Sequence, residues 1–123
     1  WNAVCHAGVV GSALALIEDA GERARFVAAA DSLLPRYLSG FGPDGYCSEG
    51  VGYWNYGFGH YVVLADTVRR ATGGRVDWLA SEAVRRIAEY PAKLEIVDGV
   101  FPAYADSHVN ARPSPWLTDY LEH

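Results

Sequence analysis

The sequence contains no methionine and only two cysteines, and its basic residues are outnumbered by acidic ones. Ten Lys and Arg stand against 15 Asp and Glu, which gives a formal net charge of −5 at pH 7. A surface that binds nucleic acid needs a basic excess, so this balance argues against a nucleic-acid partner. It does not exclude an acidic sugar, because a cleft with a few local cations can still hold one.

Long apolar runs are also missing, so we expect no membrane-spanning segment. Cys5 and Cys47 lack the short spacing that is typical of metal sites. Cys5 lies in an apolar helical pattern and is expected to be a buried free thiol, while a Cys5–Cys47 disulfide stays open. No spacing motif joins the histidines into a zinc site, so we expect neither a metal nor a cofactor. The cellular compartment stays open.

The two ends of the chain carry their own signals. Because a natural chain starts with methionine, we do not expect Trp1 to be the original first residue. Residues 121–123 resemble the start of a vector-encoded polyhistidine tag, so we exclude them from the predicted domain and do not count His123 as a ligand. The predicted domain is therefore 1–120.

Apolar residues at helical spacing predict an all-α domain of antiparallel helical hairpins. A first helix is predicted over 2–20. It should be buried on most sides, with its glycines marking close approach by a neighbouring helix or a ligand. A second is predicted over 22–38, with Tyr37 on its apolar face and Pro35 as a kink or an early stop. The short turn between the two makes them antiparallel.

Further helices are expected after the glycine-rich loop over 39–52. A third helix is predicted over 53–72, and a fourth runs from Asp77, as N-cap, to Pro91. Residues 96–115 should be loop or hold one short strand, and 116–120 should begin another helix.

Aromatic residues and glycines are concentrated in one segment, DGYCSEGVGYWNYGFGHY, over 44–61. If a helix begins near Tyr53, then Tyr53, Tyr56 and His60 share one of its faces, with Glu49 just before it. Aromatic rings beside hydrogen-bonding groups suit a sugar site, since a pyranose ring offers C–H faces to stack and hydroxyls to bond. The competing interpretation is that these tyrosines only cap the core with their hydroxyls at the surface.

Two polar clusters lie outside this segment. Asn2 and His6 share one face of the otherwise apolar first helix, where a burial cost without structural need indicates a lined pocket. The alternative is that Asn2 and His6 only fulfil each other's hydrogen-bonding needs. Asp106 and His108 lie beside aromatic residues in FPAYADSHVN, where a plain surface loop is the favoured interpretation.

Three segments together resemble the heparinase II/III-like polysaccharide lyase family. WNAVCHAGVVGSALALIED resembles its N-W-N-x-V-C helix, DGYCSEGVGYWNYGFGHY its D-G-x-x-x-E-G-x-x-Y-W-x-Y-G signature, and FPAYADS its F-x-D-S turn. They cover roughly a third of the chain. The resemblance implies a fragment of an incomplete α/α toroid, in which helical hairpins curve round a cleft that a following C-terminal β-sandwich domain of the same chain closes.

The family's characterised members cleave uronic-acid-containing polysaccharides (heparin, heparan sulfate, alginate) by β-elimination. The resemblance thus implies an acidic polysaccharide or oligosaccharide as partner and lyase activity for the parent protein, with the fragment inactive alone. Tyr56 matches the family's catalytic tyrosine, and His6 matches a catalytic histidine. Cys5 stands where some relatives carry an asparagine, which leaves His60 as the substitute for His6.

Substrate-binding residues also follow from the resemblance. Asn2 matches an amide near the uronate carboxylate, and protonated Glu49 is another candidate for that task. The remaining predicted substrate-binding residues are Tyr53, Trp54, His60 and Asp106. Two other classes of protein stay open, a non-catalytic glycan-binding module and a plain helical interaction module.

Overall fold

The computed structural model describes residues 1–122 and has an all-α fold, as predicted. Two long helices come first, followed by a third helix that contains a π-helical segment and then by three short helices. In chain order they are α1 (Asn2–Leu16), α2 (Ala20–Leu38), α3 (Gly50–Tyr53), the π-helix (Trp54–Phe58), α4 (Gly59–Ala71), α5 (Glu82–Ala88), α6 (Tyr90–Leu94) and α7 (Pro115–Leu121).

The first hairpin forms as predicted. α1 packs along both α2 and α4, and the short connection between α1 and α2 makes those two helices antiparallel. Asp19 caps α2, because its carboxylate accepts the backbone N–H of Glu22 at 2.7 Å. Of the two alternatives predicted at Pro35, a kink or an early stop, the early stop is wrong, since α2 continues to Leu38. Packing of Tyr37 and Leu38 against the core holds this last turn despite the N–H that Pro35 lacks.

α1 is buried on one side only, which corrects the prediction of burial on most sides. Val9 and Leu16 are 54% and 81% exposed, whereas Val10 is buried. A Cβ added at Gly8 or Gly11 would meet nothing within 4 Å, so these glycines do not mark a close approach.

The two cysteines do not pair. Cys5 is exposed, which contradicts the expectation of a buried thiol, because it lies on the opposite side of α1 from the buried Ala3. Cys47 is the buried one, and it is free.

The segment after α4 differs from the predicted fourth helix. The side chain of Asp77 accepts the N–H of Leu79 within a turn, at 2.9 Å, so Asp77 is not the N-cap. Ser81 caps α5 instead, with its hydroxyl accepting the N–H of Val84 at 3.2 Å. Pro91 lies in the first turn of α6, where its missing N–H has no helical partner to lose. The helix that carries Ile87 and Ala88 thus ends at Ala88, three residues before Pro91, close to the predicted end.

The later segments are short and loop-rich. Within the described residues 96–115 there is no strand, only an isolated antiparallel bridge between Val97 and Val100. Leu121, which we excluded from the predicted domain, is the last residue of α7 and packs against the core. His123 lies outside the described residues. No helix of the described chain is both long and apolar enough to cross a bilayer.

The core centres on the π-helix and α4. Trp54 and Phe58 are fully buried, and Phe58 stacks on Tyr61 with 5.9 Å between ring centroids. The indole N–H of Trp54 donates to the carbonyl of Ile87 in α5 at 2.8 Å. This bond joins the middle of the chain to the segment that follows α4.

We predict that Trp54→Phe lowers the free energy of unfolding by about 2–3 kcal/mol, because it leaves a cavity and an unpaired Ile87 carbonyl. Urea denaturation followed by circular dichroism measures this. The matched control is Trp1→Phe, at a side chain that is 86% exposed, and it should change stability by less than about 0.5 kcal/mol. Equal effects of the two substitutions would contradict the central place of Trp54.

Candidate functional site

One cavity of about 760 Å³ brings separate polar segments of the chain together. Its walls come from the start of α1, the end of α2, the segment from Cys47 into the π-helix, and the loop that carries Asp106 and His108. Five of the predicted site residues line it, namely Asn2, Glu49, Tyr53, Tyr56 and Asp106. They lie on three segments that are far apart in sequence, so the fold, not local spacing, collects them.

Three predicted site residues lie elsewhere. The prediction of Trp54 as a substrate-binding residue is wrong, because its side chain is fully buried and its indole N–H is already bonded to Ile87. His6 and His60 are only partly buried, but neither lines the cavity.

The π-helix over Trp54–Phe58 interrupts the helix on which we predicted one face for Tyr53, Tyr56 and His60. Its hydrogen bonds run from residue i to i+5, so each turn holds more residues than an α-helical turn. The predicted common face assumed an uninterrupted α-helix from Tyr53 onward. Tyr53 and Tyr56 line the cavity and His60 does not, although the His60 ring stays in contact with that of Tyr56.

Both imidazole rings are held by the backbone carbonyl one turn earlier. Nδ1 of His6 lies 2.7 Å from the carbonyl oxygen of Asn2, and Nδ1 of His60 lies 2.6 Å from that of Tyr56. A carbonyl can only accept, so Nδ1 carries the proton, and Nε2 of the neutral ring is the atom that can take another. The His60 ring also packs edge-on to the Tyr56 ring at 4.8 Å.

Asn2 holds α1 to α2 while it lines the cavity. Its Nδ2 donates to the carbonyl of Leu33 at 3.3 Å. Its Oδ1 is buried and has no hydrogen-bond partner among the described residues. A buried acceptor without a donor is costly, so this atom calls for a donor from water or from a ligand.

Asp106 reaches the cavity because its loop is fixed to the segment before α3. The hydroxyls of Tyr90 and Tyr104 lie 2.5 Å apart, and both lie within hydrogen-bonding distance of the Cys47 carbonyl, at 3.3 and 3.0 Å. One hydroxyl can therefore donate to the carbonyl while the other donates to its neighbour. Ser107 adds a bond by accepting the N–H of Gly52 at 3.3 Å. The segment is an exposed loop, as the favoured interpretation has it, and its Asp106 and His108 also line the cavity.

Arg36 is a cavity residue that sequence reasoning missed. It precedes Tyr37 in the last turn of α2, and the printed sequence holds no motif around it that indicates a site. Among the described residues, the ion pairs involve other arginines and Lys93, which leaves the Arg36 guanidinium available to an anion.

Cys47 also lines the cavity, but as a thiol. Burial is the main cause that raises its pKa, so it does not supply a thiolate nucleophile near neutral pH. In the part of the chain that the structure describes, no group of three or more His, Cys, Asp or Glu side chains could hold a metal ion.

No protein-family model matches this chain, and the search of curated proteins finds no match either. The family resemblance therefore depends on the three quoted segments alone.

We predict that Gly50→Ala displaces the Asp106 loop and lowers the free energy of unfolding by about 2–4 kcal/mol. Gly50 has a φ of +85°, and an added Cβ would lie 2.5 Å from the Cβ of Ser107. Gly73→Ala is the matched control, since Gly73 has a φ of +61° but open space around it. That control should cost only the backbone strain of about 1–2 kcal/mol.

Urea denaturation and amide chemical shifts of the Asp106 loop measure the two effects. If Gly50→Ala costs no more than Gly73→Ala and leaves those shifts unchanged, Gly50 does not set the position of the loop.

Proposed function

We propose that this chain is the helical, sugar-binding part of a lyase that cleaves uronic-acid-containing polysaccharides by β-elimination. The observation that carries the proposal is the cavity, which collects Asn2, Glu49, Tyr53, Tyr56 and Asp106. These residues come from the same three segments that resemble the heparinase II/III-like family.

The cavity offers the two kinds of contact that an acidic sugar needs. Arg36 can form a charge-assisted hydrogen bond with the uronate carboxylate. Tyr53 and Tyr56 are 43% and 45% exposed, so their rings are available for stacking on pyranose C–H faces. Neutralising the carboxylate also favours the reaction, because the charge that builds up at C5 spreads into it.

Tyr56 is our candidate for the acid. In the elimination, a base takes the C5 proton, the electron pair of that C–H bond forms the C4–C5 double bond, and the bond from C4 to the glycosidic oxygen breaks. The departing oxygen then takes a proton from the Tyr56 hydroxyl. A phenol carries its proton at neutral pH, so this role requires no activation.

A histidine is our candidate for the base. His60 is in direct ring contact with Tyr56, and its Nε2 is the atom that can accept a proton. His6, the residue that the family resemblance favours, has the same arrangement on α1. Neither histidine ring lines the cavity, so the base would have to contact the substrate at the rim of the cavity, beside Tyr56.

A non-catalytic glycan-binding module is the second candidate. Two carboxylates, Glu49 and Asp106, line the cavity against one guanidinium, that of Arg36. Carboxylates accept hydrogen bonds from sugar hydroxyls, so this balance favours a neutral glycan over a polyanion. A lyase would need Glu49 protonated or kept away from the substrate carboxylate.

We further propose that the chain is part of an incomplete α/α toroid whose second wall is a β-sandwich domain. The charge-free, exposed side of α1, with Val9 and Leu16, is suited to further helices of such a toroid. Without the second domain, the cavity stays open to water on one side. Its hydrogen-bond donors then stabilise the developing charge poorly. We therefore expect this chain alone to be inactive.

We predict that Tyr56→Phe, made in the longer natural protein, lowers kcat by about 100-fold or more, since it removes the acid and keeps the ring. Ultraviolet absorbance of the unsaturated uronate, with heparan sulfate, heparin and alginate as substrates, measures this. The control is Tyr120→Phe, because the Tyr120 hydroxyl is bonded to Asp66 and Tyr120 does not line the cavity.

The outcomes separate the candidates. Retained cleavage by Tyr56→Phe would remove Tyr56 from the mechanism. If the longer protein cleaves no uronate polymer but binds neutral oligosaccharides, the glycan-binding module replaces the lyase.

A further inference from the structure

We propose that the hydroxyl of Tyr37 is a further sugar-binding group, presented to the cavity through a gap that Gly57 leaves in the π-helix. The ligand class, a uronate-containing oligosaccharide, rests on the proposed function, whereas the geometry belongs to the chain itself. From the sequence, Tyr37 was expected only on the apolar face of α2, and no function was predicted for its hydroxyl.

The ring of Tyr37 has a fixed position. It lies edge-on to Phe41, with ring centroids 5.3 Å apart, and it stacks on Tyr61 at 5.9 Å with only 23° between the planes. Because Phe41 and Tyr61 both pack against the Tyr37 ring, the Tyr37 hydroxyl has little freedom to move. A polar group that is held in this way is pre-organised, so a ligand that binds it pays little ordering entropy.

Gly57 leaves open space in front of the Tyr37 hydroxyl. A Cβ added at Gly57 would lie 2.9 Å from the Tyr37 hydroxyl oxygen and 3.6 Å from the carbon that carries it. Any larger residue would therefore cover or displace the hydroxyl. Tyr37 and Gly57 both line the cavity, so the space that this glycine leaves opens on it.

The hydroxyl has no partner within the described part of the chain. The hydroxyl of Tyr61, by contrast, donates to the carbonyl of Trp78 at 2.8 Å, and that of Tyr120 donates to Asp66 at 2.8 Å. The described polar side-chain atoms that are both buried and unpartnered are Asn2 Oδ1 and Arg69 Nε. The Tyr37 hydroxyl is not among them, which indicates that it is not sealed from the cavity.

The Tyr37 hydroxyl acts as a hydrogen-bond donor. Burial, the main cause, raises the pKa of Tyr37, so its phenol keeps its proton. A sugar hydroxyl both donates and accepts, so it can accept the hydrogen bond that Tyr37 offers.

Binding of size-defined uronate and neutral oligosaccharides to the 123-residue protein, measured by isothermal titration calorimetry, tests the inference. Tyr37→Phe should weaken binding by about 3- to 10-fold, the effect of one lost hydrogen bond. The matched control is Tyr61→Phe, which removes the hydroxyl of the stacked neighbour on the other side. It should leave the affinity unchanged and lower only the melting temperature, since that hydroxyl is bonded to Trp78.

Gly57→Ala supplies the second variant. It should weaken binding in the wild-type background but have little further effect when combined with Tyr37→Phe, because both act on the same hydroxyl. Equal affinity of Tyr37→Phe and wild type would overturn the inference, even if Gly57→Ala does not fold.

The ligand panel separates this inference from the proposed function. If neutral oligosaccharides bind, uronates do not, and Tyr37→Phe still weakens binding, the inference stands and the uronate proposal fails. If the wild-type protein binds no oligosaccharide of either kind, both are overturned.

Discussion

Burial of Trp54 inside the π-helix is the constraint on which the rest of this structure depends. Its indole has one hydrogen-bond donor, and that donor must find a partner once the ring is buried. The Ile87 carbonyl supplies it at 2.8 Å and ties α5 to the centre of the chain. While Trp54 is turned inward, its neighbours Tyr53 and Tyr56 are half-exposed and line the cavity. One orientation therefore sets both the core and the site.

The rest of the cavity is held by polar contacts between segments that are far apart in the chain. The amide of Asn2 bonds to α2, and the hydroxyls of Tyr90 and Tyr104 meet at the Cys47 carbonyl. Gly50 lets the Asp106 loop approach, because a side chain at that position would collide with Ser107. Such contacts have direction, so they fix where each cavity residue lies more tightly than apolar packing would.

Sequence reasoning recovered the class of the fold and most of the first hairpin, because apolar periodicity, the turn after α1 and a capping aspartate are local signals. It misplaced the start of α5, since Asp77 and Ser81 are both good caps and only packing decides between them. It overestimated the burial of α1 because an apolar, charge-free helix gives no sign of which side is covered. The exposure of Val9 and Leu16 depends on which segments pack against α1, and the sequence of α1 alone does not show this.

The lining of the cavity was predicted in part. Five predicted site residues line it, namely Asn2, Glu49, Tyr53, Tyr56 and Asp106. Their polar and aromatic types and the family resemblance indicated them, and their role in binding or catalysis stays a prediction. Trp54 was chosen from the family resemblance, which gives no information on burial, and its buried indole is already bonded to Ile87. His60 lies against Tyr56 but does not line the cavity. Arg36 and the hydroxyl of Tyr37 gave no signal, because their accessibility depends on the end of α2 meeting the π-helix.

The most direct test of the central claim is to map where an oligouronate binds, by amide chemical-shift perturbation of the 123-residue protein titrated with a uronate tetrasaccharide. If the sugar binds in the candidate site, we expect saturable shifts at Glu49, Tyr53, Tyr56 and Asp106. We expect none at the second cavity, of about 650 Å³, which Arg69, Arg85 and Tyr120 help to line. Shifts confined to that second cavity, or to the exposed side of α1, would contradict it.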